Sequence, residues 1–218
     1  MDPEFWRERW QNDQIGFHEG AVNRLLQSHW HHLNPVPGEA VLVPLCGKAH
    51  DLAWLRDQGH EVIGVELSDR ACAAFFAERG IEPEESSGQR FTCYRHRQIA
   101  LWCGDFFQLS PDDIGPVGLV YDRAALIALP EAMRQPYVTH LRHLTGPQAR
   151  TLLVTLDYPE QPGFQGPPFN VSDGEVERLF GDSHHIERLH HGPLPADDGL
   201  RKRGLQGGTE SVFCLRRR

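Results

Sequence analysis

Short apolar runs alternate along the chain with segments in which apolar residues recur at helical spacing. The runs are continuously apolar and rich in Val, Leu and Ile, which is typical of strands buried on both faces of a sheet. The predicted strands are 40–43, 61–65, 99–103, 117–121 and 149–156.

Helical periodicity occupies the stretches between these runs. Ser68 or Asp69 caps one such stretch and Gly80 follows its end. Pro136 predicts a kink or a restart in another. Strands separated by helices indicate βαβ units, and hence an α/β fold with a mostly parallel sheet and helices on both faces. The predicted helices are 48–58, 68–79, 130–145 and 172–180.

The remaining segments frame this sheet. Runs 184–189 and 210–215 have no long helix between them, which favours an antiparallel pair at the sheet edge. Residues 1–33 predict one or two helices covering the carboxyl edge of the sheet. Residues 81–98 predict a loop with an inserted strand, and the Pro- and Gly-rich residues 157–170 predict a mobile or shaped loop.

Glu66 is the most informative residue at the predicted carboxyl edge, where an open parallel sheet binds its ligands. It ends the second strand about 20 residues beyond the first turn, where a carboxylate accepts hydrogen bonds from a ribose diol. The alternative is a helix-capping or surface carboxylate. The first turn, residues 44–52, contains only Gly47, whereas a pyrophosphate needs several glycines. A nucleoside without phosphates, such as S-adenosylmethionine, fits better.

Two further segments at this edge carry chemistry. Asp105 is placed to accept from an adenine amino group, with Phe106 against the ring; alternatively Asp105 caps a turn and Phe106 belongs to the core. Arg123 follows the fourth strand, where a buried Arg requires a partner. It either pairs with Asp122 or Asp51 or binds a carboxylate or thiolate of a ligand, and its place at the cleft favours the ligand.

Aromatic residues and histidines are concentrated in several short segments. Trp6, Trp10, Phe17 and His18 crowd the N-terminal region, where aromatic faces suit a sulfonium cation but more often pack a helix onto a sheet. The 13 histidines include clusters that lack recognisable zinc-ligand spacing, so solvated side chains are favoured and no metal is expected.

Composition limits the function classes. The chain has 218 residues and a net charge of −8, which suits one domain, residues 1–218, and disfavours binding to phosphate backbones. Its five cysteines form no CxxC pair, which indicates reduced thiols and a cytoplasmic location. No signal sequence or membrane span is predicted.

The motifs WQNDQIGFHEG, VPLCGKAHDLAWLRDQGHEVIGVELS, LWCGDFF, YDRAAL and PGFQGPPFNVSDGEVERLFG together resemble the thiopurine S-methyltransferase family in its bacterial form. The resemblance covers nearly the whole chain and is weakest in 81–98 and 190–210. It implies a Rossmann-like class I methyltransferase fold, with a seven-stranded sheet whose last strand is antiparallel.

The resemblance also implies roles for individual residues. On the substrate side it implies Phe17 and an arginine near the end of the chain, either Arg201 or Arg203. We take Arg201 as the substrate-binding arginine. It assigns Arg123 to the cofactor, and we take the same residue as the candidate for catalysis. The implied contacts of S-adenosylmethionine are Trp10, Leu45, Glu66, Asp105, Phe106 and Arg123.

The implied reaction is direct in-line transfer of a methyl group to an aromatic or heterocyclic thiol, such as a thiopurine. The enzyme supplies mainly proximity and alignment, and Arg123 holds the thiolate or lowers the thiol pKa. Asp13, or His18 through water, is a weaker candidate for accepting a proton. Bacterial relatives are associated with selenium and tellurium compounds, which extends the implied substrates to these soft nucleophiles.

We therefore expect a monomer that acts on a small molecule, with no nucleic-acid or membrane partner. Two alternatives stay open. One is a nicotinamide-dependent oxidoreductase on a similar sheet, which the missing GxGxxG motif opposes. The other is a non-catalytic nucleoside-binding protein, which the joint presence of Trp10, Glu66 and Arg123 opposes.

Overall fold

A computed structural model describes residues 3–218, and residues 1 and 2 of the predicted N-terminal cover lie outside it. A nine-stranded sheet in the order β3-β4-β5-β2-β1-β6-β7-β9-β8 forms its centre. The strands are β1 (Ala40–Pro44), β2 (Glu61–Glu66), β3 (Glu84–Ser87), β4 (Thr92–His96), β5 (Ile99–Cys103), β6 (Leu119–Arg123), β7 (Arg150–Asp157), β8 (His184–Pro193) and β9 (Thr209–Arg217).

Strands β5, β2, β1, β6 and β7 are parallel to one another, so their carboxyl ends share one edge. Strand β9 runs antiparallel between β7 and β8. The α/β class, the parallel centre and the antiparallel last strand are as predicted. The helices are α1 (Pro3–Gln11), α2 (Arg24–His29), α3 (His50–Asp57), α4 (Asp69–Ala77), α5 (Pro111–Ile114), α6 (Glu131–Leu144), α7 (Asp173–Phe180) and α8 (Gly199–Lys202).

The predicted strand count of seven is corrected to nine. Residues 81–98 hold two strands, β3 and β4, which form an antiparallel hairpin that extends the sheet beyond β5. Strand β3 is exposed along its whole length and reads EESS. It buries no apolar face, so it lacks the alternation by which a half-buried strand is recognised.

The predicted restart at Pro136 does not occur, because α6 continues through this residue as one helix. Proline removes one backbone hydrogen bond from a helix interior. The face of α6 that contacts the sheet buries Tyr137, Val138 and Leu141. We attribute the continuity of α6 to this burial.

Apolar side chains fill both faces of the sheet, as its alternating geometry requires. Val41 and Val43 point to the face covered by α2, α3 and α4. Leu42, between them, points to the face covered by α6 and α7. No helix within residues 3–218 is long and apolar enough to cross a membrane.

One carboxylate lies beneath α6. Asp122 is 1% exposed and accepts hydrogen bonds from the Tyr137 hydroxyl at 2.7 Å and the Leu126 backbone N–H at 3.1 Å. Burial raises the pKa of Asp122 to about 6, although both hydrogen bonds oppose the rise.

This pKa predicts a pH-dependent contribution to stability. Because the pKa of Asp122 is higher in the folded protein than in the unfolded chain, this group contributes stability that is fully present at a pH below the pKa of the unfolded chain. The contribution is lost as the pH rises through about 6. Relative to Asp122→Asn, wild type should lose about 2 kcal/mol of unfolding free energy between about pH 4 and pH 7. Urea unfolding at several pH values measures the free energy of unfolding of both proteins. A difference between the two free energies that does not change with pH would contradict this prediction.

Candidate functional site

The first turn, between β1 and α3, lies at the carboxyl edge of the sheet. Leu45 (φ 51°) and Gly47 (φ 53°) both adopt left-handed backbone conformations. Such a conformation is uncommon for a residue with a side chain, and it concentrates at ligand sites. At Gly47, a Cβ atom would lie 3.1 Å from Trp10 Cζ2. Glycine therefore allows the turn to bend and leaves space beside the Trp10 ring.

Glu66 joins this turn to the beginning of α4. Its side chain is buried, with Oε2 accepting from the Gly47 N–H and Oε1 from the Ser68 N–H, both at 2.8 Å. Burial raises the pKa of Glu66, and the hydrogen bonds from Ser68 and Gly47 counteract it. The carboxylate is thus fixed in place, and these bonds use fewer than the roughly four acceptor sites of a carboxylate.

Helix α1 lies against α4 and brings aromatic rings to the first turn. Arg70 of α4 donates to the Gln11 carbonyl at 3.0 Å and pairs with Asp13 at 2.7 Å. Trp10 is 4% exposed, and its ring lies 5.6 Å from that of Phe17, edge to face. Helix α1 therefore lies at the carboxyl edge, whereas α2 packs on one face of the sheet, and a cover over the cleft stays a prediction.

Asp105 and Phe106 make the contacts expected if Asp105 caps a turn and Phe106 belongs to the core. The Asp105 carboxylate accepts from the Phe107 N–H at 3.0 Å and so caps a short turn. Phe106 is buried against Tyr137 and His140, with ring centroids 5.3 Å and 5.1 Å away. Contact of these two residues with adenine stays a prediction.

Arg123 ends β6 at the same edge, and its partner is one that sequence reasoning missed. Its Nη2 pairs with Glu19, not directly with Asp122 or Asp51. Burial opposes the charge of Arg123, but the carboxylates of Glu19 and Asp51 raise its pKa. Glu19 lies 104 positions earlier, in an irregular segment. Glu19 belongs to no periodic pattern in the sequence. Its closeness to Phe17 along the chain is the one feature that could have pointed to it.

Comparisons with known proteins identify the family. A family model described as Thiopurine S-methyltransferase (TPMT) matches residues 1–218. A thiopurine S-methyltransferase of Marinobacter nauticus is 52% identical over 217 residues, covering 99% of each chain. The chain belongs to the thiopurine S-methyltransferase family. One from Pseudomonas fluorescens (strain Pf0-1) is 49% identical over 218 residues and also covers 99% of each chain.

Solved structures share the fold of this family member at low identity. Burkholderia thailandensis 1,6-didemethyltoxoflavin-N1-methyltransferase, solved with S-adenosylhomocysteine, has a TM-score of 0.68 at 17% identity, covering 99% of this chain and 86% of its own. A TehB-like methyltransferase from Corynebacterium glutamicum has a TM-score of 0.56 at 14% identity, covering 99% and 98%. The predicted class I fold, the methyltransferase activity and the S-adenosylmethionine cofactor are confirmed.

In this thiopurine S-methyltransferase family member the predicted Arg201 and its alternative Arg203 make different contacts, and which of them contacts the substrate stays a prediction. The Arg201 guanidinium donates to the carbonyls of Pro195 at 2.9 Å and Leu194 at 3.0 Å, which fastens its own loop. Arg203 donates to the Pro167 carbonyl at 3.0 Å. It lines a cavity of about 50 Å³ together with Trp6, Arg9, Gln14, Gly16, Phe17 and Pro167.

The Pro- and Gly-rich loop 157–170 is shaped by its own contacts. The Tyr158 hydroxyl donates to the Pro168 carbonyl at 2.8 Å, and Phe164 is buried against the Tyr158 ring. Through Pro167, this loop closes one side of the cavity.

The two weaker candidates for accepting a proton both contact other side chains of the protein. Asp13 pairs with Arg70, and its side chain is 71% exposed. His18 stacks on His50 with ring centroids 5.7 Å apart, and burial lowers its pKa. Among residues 3–218, no group of three or more His, Cys, Asp or Glu side chains is placed to hold a metal ion.

Loss of Glu66 should weaken cofactor binding. Glu66→Ala removes the fixed carboxylate and frees the Gly47 and Ser68 N–H groups. We expect the Kd for S-adenosylhomocysteine to rise about tenfold or more. Glu61→Ala, at the exposed beginning of the same strand, is the matched control. Equal Kd values for the two variants in calorimetry would exclude Glu66 from the binding site.

Alanine substitutions of the two C-terminal arginines should distinguish the one that stabilises the fold from the one that lies on the substrate side. Arg203→Ala should raise KM for an aromatic thiol about threefold to tenfold, because it removes a cavity wall. Arg201→Ala should lower Tm by about 3–6 °C, because two charge-assisted hydrogen bonds are lost, with little change in KM. The opposite pattern in kinetics and thermal melts would restore Arg201 to the substrate side.

Proposed function

We propose that this chain methylates the sulfur of aromatic or heterocyclic thiols, such as thiopurines, with Arg123 as its catalytic residue. The observation that carries the proposal is the meeting of Glu66, Trp10 and Arg123 at one edge of the sheet in a member of this family. Glu66 ends β2, Arg123 ends the nearby strand β6, and α1 brings Trp10 over the turn between them.

The residues at this edge fit a nucleoside cofactor. Glu66 provides a buried carboxylate for a ribose diol, and Gly47 leaves space that a Cβ atom would fill. We propose that Trp10, Leu45, Glu66 and Arg123 hold the cofactor, with Asp105 and Phe106 on its adenine side. When bound, S-adenosylmethionine supplies an electrophilic methyl group on a sulfonium.

Arg123 acts on the nucleophile. Its positive charge favours the thiolate over the thiol and so lowers the pKa of the bound sulfur. Its position at the end of a central strand fixes that charge within the cleft. Holding the sulfur in one orientation supplies the proximity effect, which in well-aligned systems is worth about 7–11 kcal/mol.

The substrate ring lies against the aromatic side of the cleft in this proposal. Phe17 and Trp6 form edge-to-face contacts at 5.5 Å and line the cavity that Arg203 also borders. We propose that α1 and the 157–170 loop cover the substrate and exclude water. Selenium and tellurium compounds are further proposed substrates, because their soft nucleophiles suit the same displacement.

We further propose a single domain over residues 1–218 that works as a cytoplasmic monomer. The match of the family model along the entire chain supports one domain. The free thiols of all five cysteines support a reducing compartment. The net charge of −8 opposes nucleic acid as a partner and leaves a small molecule as the substrate.

Calorimetry followed by a methyl-transfer assay tests this function. The protein is titrated with S-adenosylmethionine, S-adenosylhomocysteine and NAD, and is then incubated with S-adenosylmethionine and benzenethiol. We expect it to bind both S-adenosyl compounds and to form the methyl thioether. Binding of NAD alone would indicate an oxidoreductase, and cofactor binding without transfer to any thiol or selenol would indicate a regulatory nucleoside-binding protein.

Removal of the Arg123 charge should slow the reaction. Arg123→Ala should lower kcat/KM for benzenethiol about 10- to 100-fold, because a charge that stabilises the reacting sulfur is lost. Arg178→Ala, which breaks an exposed ion pair with Glu131 away from the cleft, is the control. Thermal melts check that both variants fold. An unchanged kcat/KM in Arg123→Ala would remove this residue from catalysis.

A further inference from the structure

We propose that Cys72 and Cys103 form an oxidisable dithiol beside the cofactor site, and that hydrogen peroxide converts this pair into a reversible disulfide that weakens cofactor binding. The inference goes beyond the proposed function, because formation of the disulfide does not depend on which substrate the protein methylates. Its effect on the cofactor rests on the proposed place of Glu66 in the binding site.

The two thiols come from neighbouring elements and contact each other. Cys72 lies within α4, and Cys103 is the last residue of β5. Their side chains share a hydrogen bond, and Cys103 packs against the buried apolar cluster that contains Cys72. The sulfur atoms of a disulfide lie only about 2.05 Å apart. Closing the bond therefore draws α4 and the end of β5 towards each other.

Exposure selects the thiol that reacts first among the five cysteines, all of which lie within residues 3–218. Cys103 is half-buried, whereas the other four are buried: Cys46, Cys72, Cys93 and Cys214. The hydrogen bond from the Cys72 thiol also lowers the pKa of Cys103, although burial and nearby carboxylates oppose the shift. Oxidants attack cysteines that are accessible and have a lowered pKa. Cys72 is then the buried partner that completes the disulfide.

Disulfide formation proceeds in two steps with hydrogen peroxide as the oxidant. The Cys103 thiolate attacks one peroxide oxygen, the O–O bond breaks, and a sulfenic acid forms while the released hydroxide takes up the Cys103 proton. The Cys72 sulfur then attacks the Cys103 sulfur, the S–O bond breaks, and the departing hydroxide leaves with the Cys72 proton as a second water. Two electrons pass from the sulfurs to the peroxide, and a thiol reductant reverses the change by exchange.

Both cysteines are attached to backbone that holds Glu66. The Cys72 N–H donates to the Ser68 carbonyl at 3.1 Å, and the Ser68 N–H donates to the Glu66 carboxylate at 2.8 Å. On the other side, Cys103 is the register partner of Glu66, and the Gly104 N–H donates to the Glu66 carbonyl at 2.9 Å. Drawing the two sulfurs together displaces the contacts that orient the Glu66 carboxylate, so cofactor binding should weaken.

Peptide mapping of the whole protein by mass spectrometry tests the disulfide. The reduced protein is treated with hydrogen peroxide, and its remaining thiols are blocked with N-ethylmaleimide before digestion. We expect one disulfide, between the peptides that contain Cys72 and Cys103, and its loss after dithiothreitol. Without peroxide, N-ethylmaleimide should label Cys103 before the four buried cysteines. Absence of a disulfide, or a disulfide between other cysteines, would overturn the inference.

Calorimetry measures the effect on the cofactor site. Oxidised wild type should bind S-adenosylhomocysteine with a Kd about threefold to tenfold higher than the reduced protein, and dithiothreitol should restore the lower value. Cys103→Ser and Cys72→Ala should each abolish this response to peroxide. Cys93→Ser removes another buried thiol, on β4, and is the matched control that should respond as wild type does. Thermal melts check folding, and the peptide map of wild type requires no variant.

The outcomes distinguish this inference from the proposed function. A disulfide that leaves the Kd unchanged would overturn the coupling to the cofactor site. A response to peroxide that persists in a folded Cys103→Ser variant would overturn the role of the pair. In both cases methylation of benzenethiol by the reduced protein leaves the proposed function standing. A reduced protein that binds S-adenosylhomocysteine and shows the response to peroxide, but transfers no methyl group, would overturn the proposed function alone.

Discussion

The buried carboxylate of Glu66 is the contact on which the carboxyl edge of the sheet depends. It accepts the Gly47 and Ser68 N–H groups, which belong to two different chain reversals. An unsatisfied buried donor costs about 1–3 kcal/mol. Loss of Glu66 would leave one backbone donor without its partner in the left-handed turn and another at the beginning of α4. The position of Trp10 depends on this arrangement as well, because its ring lies against Gly47.

This contact also explains why the first turn needs so few glycines. In dinucleotide-binding folds the N–H groups of the turn point at a pyrophosphate, and glycines let the backbone approach it. Here the Gly47 N–H points at a carboxylate of the protein itself. The turn therefore requires a left-handed glycine only where Trp10 packs, and Leu45 accepts the same conformation with a side chain. The cleft is thus organised for a ligand whose charge is not carried by phosphate.

The sequence was most informative where secondary structure and burial coincide. Strand β5 has the predicted bounds, because its residues form a continuous apolar run of which the first three are buried and the last two half-buried. Strand β3 carries no such run, so its exposed residues read as a loop. Local motifs also located Glu66 and Arg123 at the ends of their strands. They could not identify Glu19 as the partner of Arg123 or choose between Arg201 and Arg203, because those contacts join segments far apart in the chain.

The position of β9 has a consequence for biosynthesis. This strand lies between β7 and β8, although it is the last of the nine along the chain. Until residues 209–217 have been made, β7 has no neighbour on that side and β8 has no partner in the sheet. Unpaired strand edges of this kind favour association between chains. Insertion of β9 therefore covers the open edge of β7 and brings β8 into the sheet in one step, with β8 as the outermost strand.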